Sequence, residues 1–134
     1  MMLKDAHLAV VEKGGGDYAL EVEGVLRRLR KFGIRIPRPS EVREYLREYP
    51  DTVGALERIG EIAAAELGTT AELSLELYRD FETRDKYLTV YARQADDDDT
   101  LLDEIDRVRE LYEPYIRDVS GWILLAPDFR PVAA

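Results

Sequence analysis

Few residues in this 134-residue chain are equipped for chemistry, and they are unevenly placed. There is no cysteine and a single histidine, His7. Thiolate sites and disulfide scaffolds are therefore excluded, and neither a catalytic triad nor a histidine-rich metal site can be assembled from one imidazole. Carboxylates are what remain. Asp96, Asp97, Asp98 and Asp99 form the most conspicuous run. A calcium loop of the EF-hand type needs Gly at its sixth position and Glu at its twelfth. Counted from Asp96, those positions hold Leu101 and Arg107, so the pattern fails. Carboxylates just ahead of Thr100 instead suit the positive end of a helix. Glu76, with Tyr78, Tyr91 and Arg93 nearby, has the residue types of a small acid/base cluster. Cross-strand Glu–Arg pairing is the more ordinary reading of it. Gly14, Gly15 and Gly16 lack the Gly-Lys-Ser/Thr ending of a phosphate loop, and Asp17 would repel phosphate. Ser40, Ser74 and Ser120 read as a cap, a strand residue and a turn residue. No cofactor is implied, and a metal-dependent hydrolase using clustered carboxylates is the one enzymatic alternative left.

Charge divides the chain in two. Residues 1–60 carry 11 Lys/Arg against 10 Asp/Glu, and residues 61–134 carry 8 against 18. An acidic second half repels nucleic-acid backbones and suits docking onto a basic protein. Residues 27–47 oppose this trend, with eight bases and two acids. Within them Arg27, Arg28, Arg30 and Lys31 crowd one predicted helix, the basis of an alternative reading as a nucleic-acid-binding regulator. No apolar run approaches the ~18–20 residues of a membrane span. The N-terminus also lacks the basic start and apolar core of a signal peptide. A soluble, cytoplasmic protein is expected.

The elements that must position these residues follow from periodicity. Residues 8–11 read as a short strand or extended arm, broken by the glycine triplet, with Asp17 placed as a helix cap. Tyr18, Val22, Val25, Leu26, Leu29 and Phe32 then fall on one helical stripe, stopped by Gly33. Pro37 and Pro39 impose an extended connection. Ser40 is placed to cap a helix bearing Val42, Tyr45, Leu46 and Tyr49, which Pro50 ends. A further helix, capped by Asp51 or Thr52, would bury Val53, Leu56, Ile59, Ala63 and Leu67 before Gly68. Leu73, Leu75 and Leu77 alternate with Ser74, Glu76 and Tyr78. Leu88, Val90 and Ala92 alternate with Tyr87, Thr89, Tyr91 and Arg93, and the short polar linker between the two runs predicts a hairpin. Residues 101–119 carry a helical stripe that includes Leu102, Leu111 and Tyr115, with Pro114 expected to kink or split it. A last strand runs from Trp122 to Ala126.

Together these predict an α+β fold: a three- to four-stranded, mainly antiparallel sheet in α-β-β-α-β order, a ferredoxin-like variant. Residues 1–39 would form an N-terminal helical arm, and residues 40–134 the α+β domain. The sheet's second face should carry Tyr78, Tyr87, Tyr91 and Arg93, joined by Trp122. Aromatic sheet faces serve single-stranded RNA readers, but the surrounding acidity argues against RNA here. Tyrosine, tryptophan and arginine are also what protein interfaces favour, and cover of this face by the N-terminal helices is the equal alternative.

The strings LSLELYRD, YLTVYARQ and SGWILLAPDFRP, with PSEVREYLREYP ahead of them, resemble a group of small bacterial proteins common in cyanobacteria. The resemblance covers residues 40–131 and brings no established activity. It implies a gene paired with a second small gene, in the manner of toxin–antitoxin pairs. The expectation is therefore a non-enzymatic interaction module, an antitoxin-like neutraliser or regulator of a partner protein. Its partner-binding residues would be Tyr78, Tyr91, Arg93 and Trp122, with Arg27, Arg28, Arg30 and Lys31 on the arm. An open sheet edge and an aromatic face also predict a homodimer or heteromer.

Overall fold

A computed structural model describes residues 2–94 and 100–129, with side chains described from residue 17 onward. The first helix, α1 (Met2–Lys31), runs through residues 14–16 without interruption. The expected extended segment at residues 8–11, the break at the glycines and the Asp17 cap give way to one helix. Glycine costs a helix about 1 kcal/mol relative to alanine, a bias and not a prohibition. Gly33 does end α1 as expected, with φ of 93°. Only glycine adopts that left-handed conformation freely. The Ile34 N–H donates to the Leu29 carbonyl at 3.0 Å and the Gly33 N–H to that of Arg30 at 2.9 Å, the paired bonds of a Schellman turn.

That turn delivers Arg35 to the sheet. The Arg35 N–H donates to the Leu73 carbonyl at 2.9 Å, and its own carbonyl accepts the Leu75 N–H at 2.7 Å. The result is a single parallel bridge opposite Ser74. The next donor along this ladder would be residue 37, and Pro37 has no N–H to give. Pairing stops after one residue, and the fourth strand sought at residues 8–11 is represented by Arg35 alone.

Helix α2 (Pro39–Glu48) starts at Pro39, whose fixed φ suits a first helical position. Ser40 lies inside the helix and does not cap it. A 3-10 turn (Pro50–Thr52) leads into α3 (Val53–Leu67), which buries the expected stripe of Val53, Leu56, Ile59, Ala63 and Leu67. The sheet consists of β1 (Glu72–Arg79), β2 (Lys86–Arg93) and β3 (Ile123–Pro127), adjacent in chain order. β1 and β2 pair antiparallel, with Leu75 opposite Val90, while β2 and β3 pair parallel, with Val90 opposite Leu125. The sheet is therefore mixed. A parallel neighbour demands a long crossover, which α4 (Leu101–Ile116) supplies.

The hairpin turn is closed by Asp80. Its carboxylate accepts the backbone N–H of Glu82 at 2.9 Å and of Thr83 at 3.3 Å, an Asx-type turn. In α4 the buried residues are Leu101, Ile105, Val108, Tyr112 and Ile116. The expected stripe was wider: Leu102, Leu111 and Tyr115 are exposed. Pro114 occupies the last turn and does not split the helix.

One core joins these elements. Val22, Val25, Leu26 and Leu29 of α1 belong to the same buried cluster as Leu73, Leu75, Leu88, Val90, Ile123 and Leu125 of the sheet. Ile34 and Ile36 belong to it too, so the core runs across the expected boundary at residue 39. Tyr18 and Arg43 tie α1 to α2, the tyrosine by donating its hydroxyl to the Leu46 carbonyl and the arginine by pairing with Glu23. Among the described residues, no helix is long and apolar enough to cross a membrane.

Candidate interaction face

Strand pleating sends alternate residues to opposite faces, so the register defines the second face row by row. Tyr78 lies opposite Tyr87, and the residue continuing that row on the third strand is Trp122. Glu76, Thr89 and Leu124 make the next row; Ser74, Tyr91 and Ala126 the third. Glu72 and Arg93 begin the fourth, completed by Asp128 just past β3. None of the hydrophobic residues in these rows belongs to the core cluster or packs against it. Leu73, Leu75, Leu88, Val90, Ile123 and Leu125 face the other way, into the helices, and are almost wholly buried. Among the described residues, then, the helical core packs on one face of the sheet; on the other, Ser74 and Thr89 are buried while Tyr78 and Trp122 are exposed.

The aromatic row is held firmly from below. The Trp122 carbonyl accepts the Leu88 N–H at 3.1 Å. The Trp122 N–H donates to the Tyr45 hydroxyl at 2.9 Å. Burial raises the Tyr45 pKa, against the opposing pull of that Trp122 N–H. Ser120, two residues earlier, donates its N–H to Asp51 at 2.9 Å. Backbone order thus reaches Trp122 from three elements, yet the residue remains 49% exposed. The rings of Tyr78 and Tyr87 lie 5.0 Å apart at 33°, a tilted contact worth about 0.5–1.5 kcal/mol. Tyr78 is 37% exposed, and Phe81 at the hairpin tip is 89% exposed. Burial raises the Tyr87 pKa, with added repulsion from Tyr78, Asp80 and Asp85.

At the opposite end of the face Arg93 is 8% exposed. Its guanidinium meets Asp128 at 2.8 Å, Glu72 at 3.0 Å and Glu76 at 3.5 Å. Arg35 adds a second cation to Glu72 at 3.2 Å. Ser74 donates its hydroxyl to Glu76 at 2.9 Å. Arg93 therefore spends its donors holding three strand ends together, and an anchoring role toward a partner does not suit it. The Glu76 cluster seen in the sequence is this clamp. Asp128 was missed, although its spacing from Trp122, Leu124 and Ala126 assigns it to the same face. The Thr89 hydroxyl is buried in the middle of the face and finds no hydrogen-bond partner among the described residues.

The basic residues of α1 lie on the helical side of the sheet, away from this face. Arg28 pairs with Glu57 of α3. Arg27, Arg30 and Lys31 are exposed. Their spacing sets them on one side of the helix, and its last turn carries Arg28, Arg30 and Lys31, where cations favour the dipole. Arg35 and Arg43, also in the basic segment, are paired with Glu72 and Glu23. Among the described residues, no three His, Cys, Asp or Glu side chains are grouped to hold a metal. Asp96, Asp97, Asp98 and Asp99 lie outside the described residues.

Comparison with known proteins finds no matching family model, no matching curated protein and no matching solved structure.

Proposed function

We propose that this chain is a non-enzymatic protein-binding module that engages a partner protein through the second face of its sheet. The observation that carries the reading is that the aromatic and aliphatic residues of that face stand apart from the core cluster. Tyrosine and tryptophan offer large contact area at low entropic cost, which makes Tyr78, Tyr87, Tyr91 and Trp122 the anchors. By its resemblance to paired bacterial genes, the module is the neutralising or regulating member of such a pair. Along the β3 edge a second copy has little to pair with, since α4 side chains occupy it.

The test mixes the purified chain with the product of the neighbouring gene at micromolar concentration. Co-elution is expected, with hydrogen-exchange protection falling on β2 and β3 and loss of binding in Tyr78→Ala and Trp122→Ala. Separate elution, or protection confined to the helices, would overturn the reading.

A second reading has one observation behind it: Arg27, Arg30 and Lys31 form an exposed basic strip without carboxylate partners among the ion pairs of the described residues. Nucleic-acid binding through that strip predicts affinity falling steeply with salt and lost on replacing the three by Ala. Salt-insensitive binding, or none, would end it.

A further inference from the structure

Resting on that reading, we infer that the occupant of the aromatic row is an arginine-bearing, extended segment of the partner, its guanidinium groups seated on Tyr78, Tyr87 and Trp122. Three observations on the face select a cation over an apolar or acidic group.

The first is the character of the row itself. Aromatic rings present a negative π-face, and arginine stacks on such faces more readily than other cations do. Here two tyrosines in contact at 5.0 Å continue directly into a half-exposed indole.

The second is the charge beside the row. Glu76 stands in the next row behind it, and Asp80, Glu82 and Asp85 belong to the turn in front. Asp80 and Asp85 lie close enough to act on the Tyr87 hydroxyl. A cation settling on the rings is thus met by the carboxylates of the turn, while Glu76 behind it is already engaged by Arg93 and Ser74.

The third is what the local cations are doing. Arg93 is enclosed by its three carboxylates, and Lys86 turns to the helical side to meet Glu48 at 2.7 Å. Arg79 points by register to the same side as Lys86. Among the described residues, no side chain of this chain places a cation on the row. Among the described residues, the cation–π contact joins Arg58 to Tyr115, on the helices. Among the described side chains, none supplies the charge that the row is shaped to hold.

The chain carries a single tryptophan, Trp122, so its fluorescence reports on the row alone. The experiment titrates the full chain with a short serine–glycine peptide carrying several arginines, and in parallel with the same peptide bearing neutral citrulline at each arginine. Calorimetry repeats both titrations for Tyr78→Ala, for Trp122→Ala and for the double variant Asp80→Asn/Asp85→Asn, which keeps the oxygen that closes the turn. The expected result is a shift in Trp122 emission with the arginine peptide, binding at least about tenfold weaker for citrulline, and a loss of roughly three- to thirtyfold on removing either ring. Far-ultraviolet dichroism confirms that each variant is folded.

Equal binding of the two peptides would overturn the inference and leave the interaction face standing. Preference for arginine that survives Tyr78→Ala and Trp122→Ala would overturn it too, showing only the attraction of an acidic protein for a basic peptide. Binding of neither peptide would overturn it as well. The co-elution experiment then judges the face independently.

Discussion

The Arg109 guanidinium donates twice to the Leu125 carbonyl, from Nε at 2.9 Å and from Nη2 at 2.6 Å. Leu125 sits at the middle of β3, the strand at one edge of the sheet. Its N–H is also engaged, donating to the Tyr112 hydroxyl at 3.1 Å. Both outward backbone groups of the central edge residue are thus taken by side chains of α4, one turn of helix apart. Two residues on, Pro127 has no N–H to offer. Open edges invite pairing with other chains, and this one is closed by its own crossover helix.

Removing that cover should therefore have two separable effects. Tyr112→Phe leaves the Leu125 N–H without its acceptor and is expected to destabilise by about 1–3 kcal/mol, read from urea denaturation. Arg109→Met retains an apolar stem while exposing the Leu125 carbonyl. It should cost about 1 kcal/mol and introduce concentration-dependent self-association in sedimentation. An unchanged urea midpoint and a strictly concentration-independent mass would refute the account of the edge.

Arg93 makes a stronger prediction. Replacing it by Met takes from Glu72, Glu76 and Asp128 the guanidinium they share. Breaking a largely buried ion cluster by removing one partner typically costs about 3–5 kcal/mol. Arg93→Lys should recover only part of this, because an ammonium cannot match three carboxylates with a planar fork. If both variants unfold at the urea concentration of the parent, the clamp is ornamental.

Two backbone positions predict opposite signs. Arg84 adopts φ of 65° in the hairpin turn, a left-handed conformation costing roughly 1–2 kcal/mol for a residue with a Cβ. Arg84→Gly should recover part of that and raise the melting temperature. At Gly121 an added Cβ would lie 2.3 Å from the Thr52 hydroxyl and 3.2 Å from the Tyr45 ring. Gly121→Ala is expected to lose about 1–3 kcal/mol and to disturb Trp122, whose N–H rests on Tyr45. Calorimetric melting of the pair settles both, and a stabilised Gly121→Ala would contradict the packing described.

Tyr18 supplies a pH dependence. Burial, with repulsion from Glu21 and Asp51, pushes its pKa from the ordinary 10.0 up to about 12. Only the neutral phenol can donate to the Leu46 carbonyl. Because the folded-state pKa is the higher one, the contribution is fully present below pH 10 and is lost as pH rises from about 10 toward 12. Urea midpoints measured across that window should fall, and Tyr18→Phe should flatten the decline. A Tyr18→Phe protein that declines just as steeply would assign the loss to other groups.

Alternation along the two central strands was sufficient to read which side chains line the core and which stand opposite. Leu73 and Leu75, like Leu88, Val90 and Ala92, are buried as their period of two requires. The aromatic row was partly legible for the same reason, since Tyr78, Tyr87 and Trp122 share a parity once the strands exist. The helix over residues 101–116 was legible in type but not in width. Leu111 and Tyr115 fit a helical stripe on paper, yet the neighbouring helix and strand accept only one narrower line of contacts. Glycine at residues 14–16 weakens helix without forbidding it, so no local rule could choose the outcome.

By itself, the order of residues determined the secondary elements beyond residue 17, the stop at Gly33, the two-sided character of the strands and the lack of any cysteine. These depend on local sterics, periodicity and composition, which act within a few neighbours along the chain. Tertiary structure alone decided that β3 runs parallel to β2, that Arg35 rather than an N-terminal strand meets β1, and that Arg93 is enclosed while Trp122 stays open. Each of those depends on which distant segments come together, and on whether a buried charge or a free backbone group finds its partner there.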